Sequence, residues 1–150
     1  MIALLQRVAQ ASVVVNEKLI AHIGPGTLAL IGVEQGDGPA QAHRLLQRVL
    51  NWRMFEDEHG RMNLSLAQVS GGLLLVPQFT LAADTRSGNR PSFSSAAAAG
   101  DGNRLFDWLV TEARNSHNPV ATGTFGADMK VSLVNDGPVT FWLQVDPNPA

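Results

Sequence analysis

The sequence predicts an α/β protein: a single domain in which a layered mixed sheet is covered by two main helices. Three observations carry this. Short apolar or alternating runs recur through the first third and again near the end, with the period of half-buried strands. Two longer stretches instead place apolar residues at helical spacing. No internal repeat or change of composition divides the 150 residues, and that length suits one domain, 1–150, with its own core. Two helices can cover only one face of such a sheet, so the other face needs a second sheet or another subunit.

Strands are expected at Ile2–Val8, Ser12–Val15, Lys18–Ile23 and Thr27–Val33. Asn16-Glu17 and Gly24-Pro25-Gly26 separate the later ones as turns. Gly36-Asp37-Gly38-Pro39 opens a helix, with Asp37 or Gly38 as cap and Pro39 in the first position. Ala42, Leu45, Leu46, Val49 and Leu50 form its apolar face, which Arg53 or Met54 would extend, and Arg44, Gln47, Arg48 and Asn51 form its polar face. Asp57-Glu58-His59-Gly60 reads as a turn. Leu73-Leu74-Leu75-Val76 is the most apolar short run and reads as a central strand buried on both faces. Asp84 to Pro91 reads as a loop, and Ala96–Ala99 as a helical turn or a mobile connector. A second helix is expected from about Asn103 to Ser116, with Leu105, Phe106, Leu109, Val110 and Ala113 inward. Met129–Val134 and Val139–Val145 read as the two strands of a hairpin around Asn135-Asp136-Gly137-Pro138.

Composition narrows the function. Hydrophobic residues make up 45% of the chain and mean hydropathy is +0.02, as in a soluble globular protein. No apolar run approaches the roughly 18 residues of a membrane span. Met1-Ile2-Ala3-Leu4-Leu5-Gln6-Arg7 puts its basic residue after the apolar run, the wrong order for a secretory signal. Cysteine is absent, which excludes disulfides and thiolate metal sites. A cytoplasmic location is the simplest expectation. The net charge of −2 argues against a protein that coats a nucleic-acid duplex, but leaves room for one that handles an RNA end.

The usual catalytic side chains are missing. His22, His43, His59 and His117 are scattered, none in a metal-spaced pair, and each reads as a surface histidine. There is no GxSxG elbow, Walker A loop or GxGxxG fingerprint. Glu56, Asp57 and Glu58 form an exposed acidic turn. A backbone site remains. Pro77-Gln78-Phe79-Thr80 lies where the buried strand ends, a common ligand position in α/β sheets. Its residues could merely cap the sheet. Alternatively, the N–H groups of Phe79 and Thr80 could converge on one oxygen, with Gln78 holding a substrate carbonyl or hydroxyl. Gly137-Pro138, taken alone, is a rigid surface turn rich in unshared carbonyls.

The two segments together resemble the D-aminoacyl-tRNA deacylase family, which carries Ser-Gln-x-Thr and Asn-x-x-Pro-x-Thr motifs. Here they stand as Pro77-Gln78-Phe79-Thr80 and Asn135-Asp136-Gly137-Pro138-Val139-Thr140. The likeness extends to Met1–Val8, Arg61-Met62-Asn63-Leu64-Ser65, Asp84-Thr85-Arg86, Arg90-Pro91-Ser92-Phe93 and Gly123–Met129. Pro77 departs from the motif, since many members have serine there.

The resemblance implies a homodimer of α/β/β layers. It implies hydrolysis of the ester joining a D-amino acid, or glycine mischarged on tRNA(Ala), to the terminal adenosine of tRNA, a proofreading activity that spares L-aminoacyl-tRNA. No cofactor, metal, DNA or membrane enters. The N–H groups of Phe79 and Thr80 would stabilise the oxyanion while water attacks. An older scheme for the family makes the threonine, Thr80 here, a covalent nucleophile, but the sequence offers it no general base. The family's Gly-Pro, here Gly137-Pro138, is cis and enters the partner subunit's site, where its carbonyls hold the substrate ammonium. Phe125, Gly126 and Met129 match the part that accommodates the adenine, although Phe125 and Met129 would equally suit a core. Arg7, Arg86 and Arg90 are candidates for phosphate contacts. Two rival readings remain at this point: a general ester hydrolase with Thr80 as nucleophile, and a non-catalytic RNA or protein interaction module.

Overall fold

A computed structural model of the chain describes residues 1–147. In chain order it contains β1 (Ile2–Val15), β2 (Lys18–Ile23), β3 (Gly26–Gly32), α1 (Pro39–Asn51), β4 (Phe55–Glu56), β5 (Met62–Leu64), α2 (Leu66–Val69) and β6 (Gly72–Pro77). A 3-10 turn (Phe79–Ala82), α3 (Ala99–Ser116), β7 (Val120–Thr122) and β8 (Lys130–Gln144) follow. The architecture is mixed α/β with a sheet that nearly closes on itself.

β1 is the strand the sheet is built on. One of its edges pairs antiparallel with β3 from Ile2 to Val8 and then with β2 from Ala11 to Val15. Its other edge pairs with β8 along the whole length. Beyond β3, the sheet continues with β6 and β7, both parallel to their neighbours. The break expected between Val8 and Ser12 is absent. Ala9 and Gln10 are exposed but extended, and irregular pairing at Val8 absorbs them without ending the strand. Asn16 and Glu17 form the expected two-residue turn, with φ of 49° and 65°.

β6 is buried at every position, and its alternation divides the core. Leu73 and Leu75 face α1 and α3, among Leu5, Ile31, Leu45, Leu46 and Leu109. Leu74 and Val76 face the opposite way, among Val8, Leu28, Val13 and Ile23. The layer covering that second face belongs to the same sheet. The later half of β1, β2 and the start of β8 turn back over β6 and β7.

α1 begins at Pro39 as expected, with Gly38 as its cap, and buries all five apolar positions of its face. It stops at Asn51, so Met54 reaches the core from the following loop. A third helix, the single turn α2, adds to the two expected ones. Ser65 caps it by accepting from Gln68 N–H at 3.2 Å, while Gln68 Oε1 accepts from Ser65 N–H at 2.8 Å. α3 starts four residues before the expected Asn103 and includes Gly100 and Gly102. Gly102 suits that place because a Cβ there would lie 3.3 Å from the Phe125 ring.

The hairpin expected at Asn135–Pro138 does not form. Its two flanking runs are one strand, β8, and both pair with β1 rather than with each other. Gln6 faces Thr140 and Val8 faces Asn135, so only Arg7 stands opposite the four residues Asp136 to Val139, which bulge outward.

At the start of the β3–β6 pair, a Cβ on Gly26 would lie 2.0 Å from Gly72 O. Gly24 has nothing within 4 Å of the same position. Gly26→Ala should therefore cost about 3 kcal/mol or more, and Gly24→Ala no more than about 0.5 kcal/mol. Urea denaturation of both variants checks this; equal stabilities would refute it.

Candidate active site

The carboxyl ends of parallel β3 and β6 bring the first motif to one end of the sheet. Gln78 N–H continues the ladder by donating to Ile31 O at 2.7 Å. The chain then tightens into the 3-10 turn, where Leu81 N–H donates to Gln78 O at 3.2 Å and Ala83 N–H to Thr80 O at 3.1 Å. Phe79 and Thr80 occupy the first positions of this turn. Among the described residues, neither of their N–H groups has an acceptor, as befits the start of a helical turn. Gln78 Nε2 donates to Thr80 Oγ1. Phe79 is 55% exposed and stacks, tilted, on Phe93 with ring centroids 5.1 Å apart.

The loop after β7 reaches the same end. Gly123 N–H donates to Leu75 O at 2.8 Å, and a Cβ on Gly123 would lie 2.7 Å from Met129 Sδ and 3.4 Å from Pro77 Cδ. Ala127 N–H closes a turn on Thr124 O at 3.3 Å, with Gly126 at φ +78° where a side chain would be strained. Phe125 and Met129 are half-buried and packed against opposite core clusters. Both serve the core, whatever else they touch.

A groove of about 750 Å³ opens beside Thr80, lined by Ile2, Glu34, Asp84, Arg86, Trp142 and Gln144 among others. Arg86 does not project free into it. Its Nε and Nη2 donate to the two carboxylate oxygens of Asp84, at 2.9 and 2.8 Å. Glu34 Oε2 accepts from the buried Met1 ammonium at 2.6 Å, and both Glu34 oxygens accept from Gln144 Nε2. The same ammonium donates to Asp37 Oδ1 at 3.0 Å and Val145 O at 2.7 Å. Burial pushes the Asp37 carboxyl above its ordinary range, against the pull of the Glu34 N–H and the ammonium.

The second motif lies elsewhere. The peptide bond Gly137–Pro138 is cis, as is Asn118–Pro119. Asn135 holds the bulge from within: Oδ1 accepts from Val139 N–H and Nδ2 donates to Thr140 Oγ1, both at 2.9 Å. Arg7 holds it from beneath. This residue is only 8% exposed; Nε donates to Asp136 O at 3.0 Å and Nη1 to Met54 O at 2.9 Å. A phosphate role for Arg7 does not fit this geometry, because burial and two carbonyl partners turn its guanidinium inward. Gly137 has φ +137°, and a Cβ there would lie 2.7 Å from Val139 Cγ2 and 3.1 Å from Arg7 Nη2. Asp136, Gly137 and Pro138 are exposed.

The two motifs do not meet within one chain. Pro77 pairs with Ile31, Ile31 with Ala3, and Ala3 with Leu143, whereas the bulge faces Arg7. Four residues along the strands and three strands across amount to roughly 20 Å. Among the described residues, no group of three or more His, Cys, Asp or Glu could hold a metal ion. Three of the histidines are exposed, but His117 is half-buried with Nε2 2.6 Å from Gly71 O. Phe93 and Trp142 were not singled out from the sequence. The signal for Trp142 was its place on the outward side of a strand whose Leu143 and Val145 point inward.

The Asp84–Arg86 pair has a measurable consequence. The Arg86 side chain and N–H hold the Asp84 carboxyl down to about 2, against an ordinary value of 3.8. The pair's contribution is therefore present above pH 3.8 and disappears as pH falls through about 2. NMR titration should find Asp84 near 2 and moved upward in Arg86→Ala; an Asp84 that titrates near 3.8 in both proteins would refute the pairing.

The chain resembles several known proteins over its whole length. A D-aminoacyl-tRNA deacylase of Thioalkalivibrio sulfidiphilus (strain HL-EbGR7) is 67% identical over 147 residues, covering 98% of this chain and 99% of the relative. A solved structure described as a c-Myc DNA unwinding element binding protein superposes with a TM-score of 0.93 at 35% identity, covering all of both chains. Another, described as a probable eukaryotic D-amino acid tRNA deacylase, shares the fold with a TM-score of 0.77 at 18% identity, over 96% of this chain and 98% of that one. The family described as D-Tyr-tRNA(Tyr) deacylase matches residues 4–144, and the chain belongs to it.

Proposed function

We propose that this protein hydrolyses the ester bond of D-aminoacyl-tRNA, releasing the D-amino acid and tRNA. The observation that carries the reading is the pair of unshared N–H groups, Phe79 and Thr80, at an exposed strand end. In ester hydrolysis, water adds to the carbonyl and negative charge gathers on its oxygen. Donors already fixed in place meet that charge without reorganising, and loss of one typically costs about 10²–10³ in rate. Gln78 and Thr80 orient the ester. The water is activated with help from the adenosine 2′-hydroxyl, since the two carboxylates that line the groove, Glu34 and Asp84, are held by the Met1 ammonium and by Arg86.

Chirality is read by the Gly137–Pro138 bulge, acting on the site of a second copy in a homodimer. The roughly 20 Å between the motifs in one chain supports this, as does the exposure of the bulge. Its carbonyls take the substrate ammonium and leave no room for an L side chain, so rejection is steric. Glycine carries no side chain to clash, so glycyl-tRNA is also a substrate. Phe125, Gly126 and Met129 flank the terminal adenine, and Arg86 stands at the mouth of the groove. Such a substrate places the protein in the cytoplasm.

The rival in which Thr80 attacks the ester gains no support from the geometry. Its hydroxyl accepts from Gln78 Nε2, which cannot take a proton from it. The DNA named in the description of one structural neighbour belongs to that protein, and a net charge of −2 offers little for a duplex.

The decisive experiment compares purified protein on D- and L-aminoacyl-tRNA. Hydrolysis of the D form with the L form spared is expected; equal rates, or none, would end the proposal. Thr80→Ala should keep kcat/KM within about tenfold, since the backbone donor survives. A loss on the order of 10⁴-fold or more, with the fold intact by circular dichroism, would install Thr80 as the nucleophile instead.

A further inference from the structure

Beside the site at Thr80 runs a second groove, of about 310 Å³, lined by Ala40, Gln41, Arg44, Arg48, Gln144, Val145 and Asp146. Gln144 lines both grooves, so the two surfaces are continuous. Arg44 and Arg48 lie one turn apart on α1, about 6 Å along its axis. Among the described residues neither has a carboxylate within ion-pair distance, unlike Arg86, Arg104 and Lys130. Arg48 is also held in place: its guanidinium lies 5.3 Å from the centre of the Trp52 ring, which in turn packs edge-on against Phe141. A planar cation fixed in this way loses little freedom when it binds a phosphate.

We infer that Arg44 and Arg48 form a phosphate-binding strip for the RNA backbone of the acceptor end, leading from α1 along Gln144 to the ester at Thr80. This rests on the proposed function. A tRNA acceptor end is a reactive ester followed at once by a phosphodiester chain. A site that holds the ester must have that chain leave along some surface. Of the carboxylates lining the two grooves, Glu34 faces the Met1 ammonium and Asp84 faces Arg86. Asp146 alone is left to oppose the strip, and it is exposed to solvent. In the groove along α1 the two arginines outnumber Asp146 among the described residues, so the field there favours an anion although the chain as a whole is acidic.

The test uses the single variants Arg44→Ala and Arg48→Ala and their combination, with Arg114→Ala as a charge-matched control for each single variant. Arg114 lies in the last turn of α3, at the opposite end of β6 from Thr80, where His117 meets Gly71. On D-aminoacyl-tRNA the double variant should lose about tenfold or more in kcat/KM at low salt, chiefly through KM. The slope of log affinity against log salt should fall by about 1 for each arginine. Hydrolysis of a D-aminoacyl ester of adenosine, which has no phosphate chain, should be unchanged, and Arg114→Ala should behave as the wild type. Equal losses on tRNA and on the adenosine ester would overturn the inference, because the arginines would then act through the fold or the ester site. Wild-type kinetics on tRNA would also overturn it. Binding of uncharged tRNA, followed by fluorescence anisotropy, separates this inference from the catalytic proposal. Tight binding that the double variant loses supports the strip even if the wild type fails to hydrolyse. Absent wild-type binding, or equal binding by both proteins, removes it. If duplex DNA binds as tightly and the same variant loses it, the assignment to an RNA acceptor end is wrong.

Discussion

β1 is hydrogen-bonded along both edges, and the rest of the molecule follows from that constraint. A strand inside a sheet must match every backbone donor and acceptor with a neighbour. On one side β3 and β2 divide the work; on the other, β8 does it alone. β8 has four residues where β1 has only Arg7. The surplus cannot stay in the ladder, so it leaves as a bulge whose position is set by pairing on both sides. Arg7 then lies beneath carbonyls that the ladder cannot serve and donates to one of them, Asp136 O. A buried arginine and an exposed Gly-Pro thus have the same cause. So does the second β layer, because a strand with two partners on one edge must carry the sheet round as it passes from one to the other.

Much of this was legible in the sequence. α1 is bounded by Pro39 and declared by five apolar positions at helical spacing, and β6 by an uninterrupted apolar run. Both signals are local. What failed was non-local. Asn-Asp-Gly-Pro between two alternating runs has the chemistry of a hairpin, and nothing in those residues says that both runs share β1 as partner. Ala9 and Gln10 look like a break for the same reason: the pairing of Ile2–Val8 on one side of them and Ala11–Val15 on the other carries the strand through despite their poor strand preference. Gly100 and Gly102 argue against a helix on propensity, yet tertiary contact between Gly102 and Phe125 decides the matter. α2 differs in kind, since Ser65 and Gln68 spell a capping box within four residues of sequence.

The candidate site was legible for a different reason. In the proposed reading the chemistry comes from the backbone, because the carboxylates beside Thr80 are already paired, and the backbone offers polar groups only where regular pairing stops. It stops at the first turn after β6, which frees two donors, and at the bulge of β8, which frees acceptors. One place suits an oxyanion and the other an ammonium. The sequence marks both with residues that break ladders, Pro77 at one and Gly137-Pro138 at the other. It could not show Arg7 turned inward or Phe93 laid against Phe79, because each depends on a partner distant in the chain.

Net charge was a weaker guide than it looked. A value of −2 sums groups that do not act on the same place. At ordinary ionic strength an exposed charge is felt over about 8–10 Å, so the field in a groove depends on its own lining. There the acids are mostly engaged: Glu34 with the chain's own ammonium, Asp84 with Arg86. The ammonium is buried and shared by Glu34, Asp37 and Val145 O, so it cannot attract an outside anion, and it weakens the repulsion that Glu34 would exert on one. A small acidic protein can in this way meet an RNA end while remaining a poor ligand for long duplexes, where many unpaired cations in a row are needed.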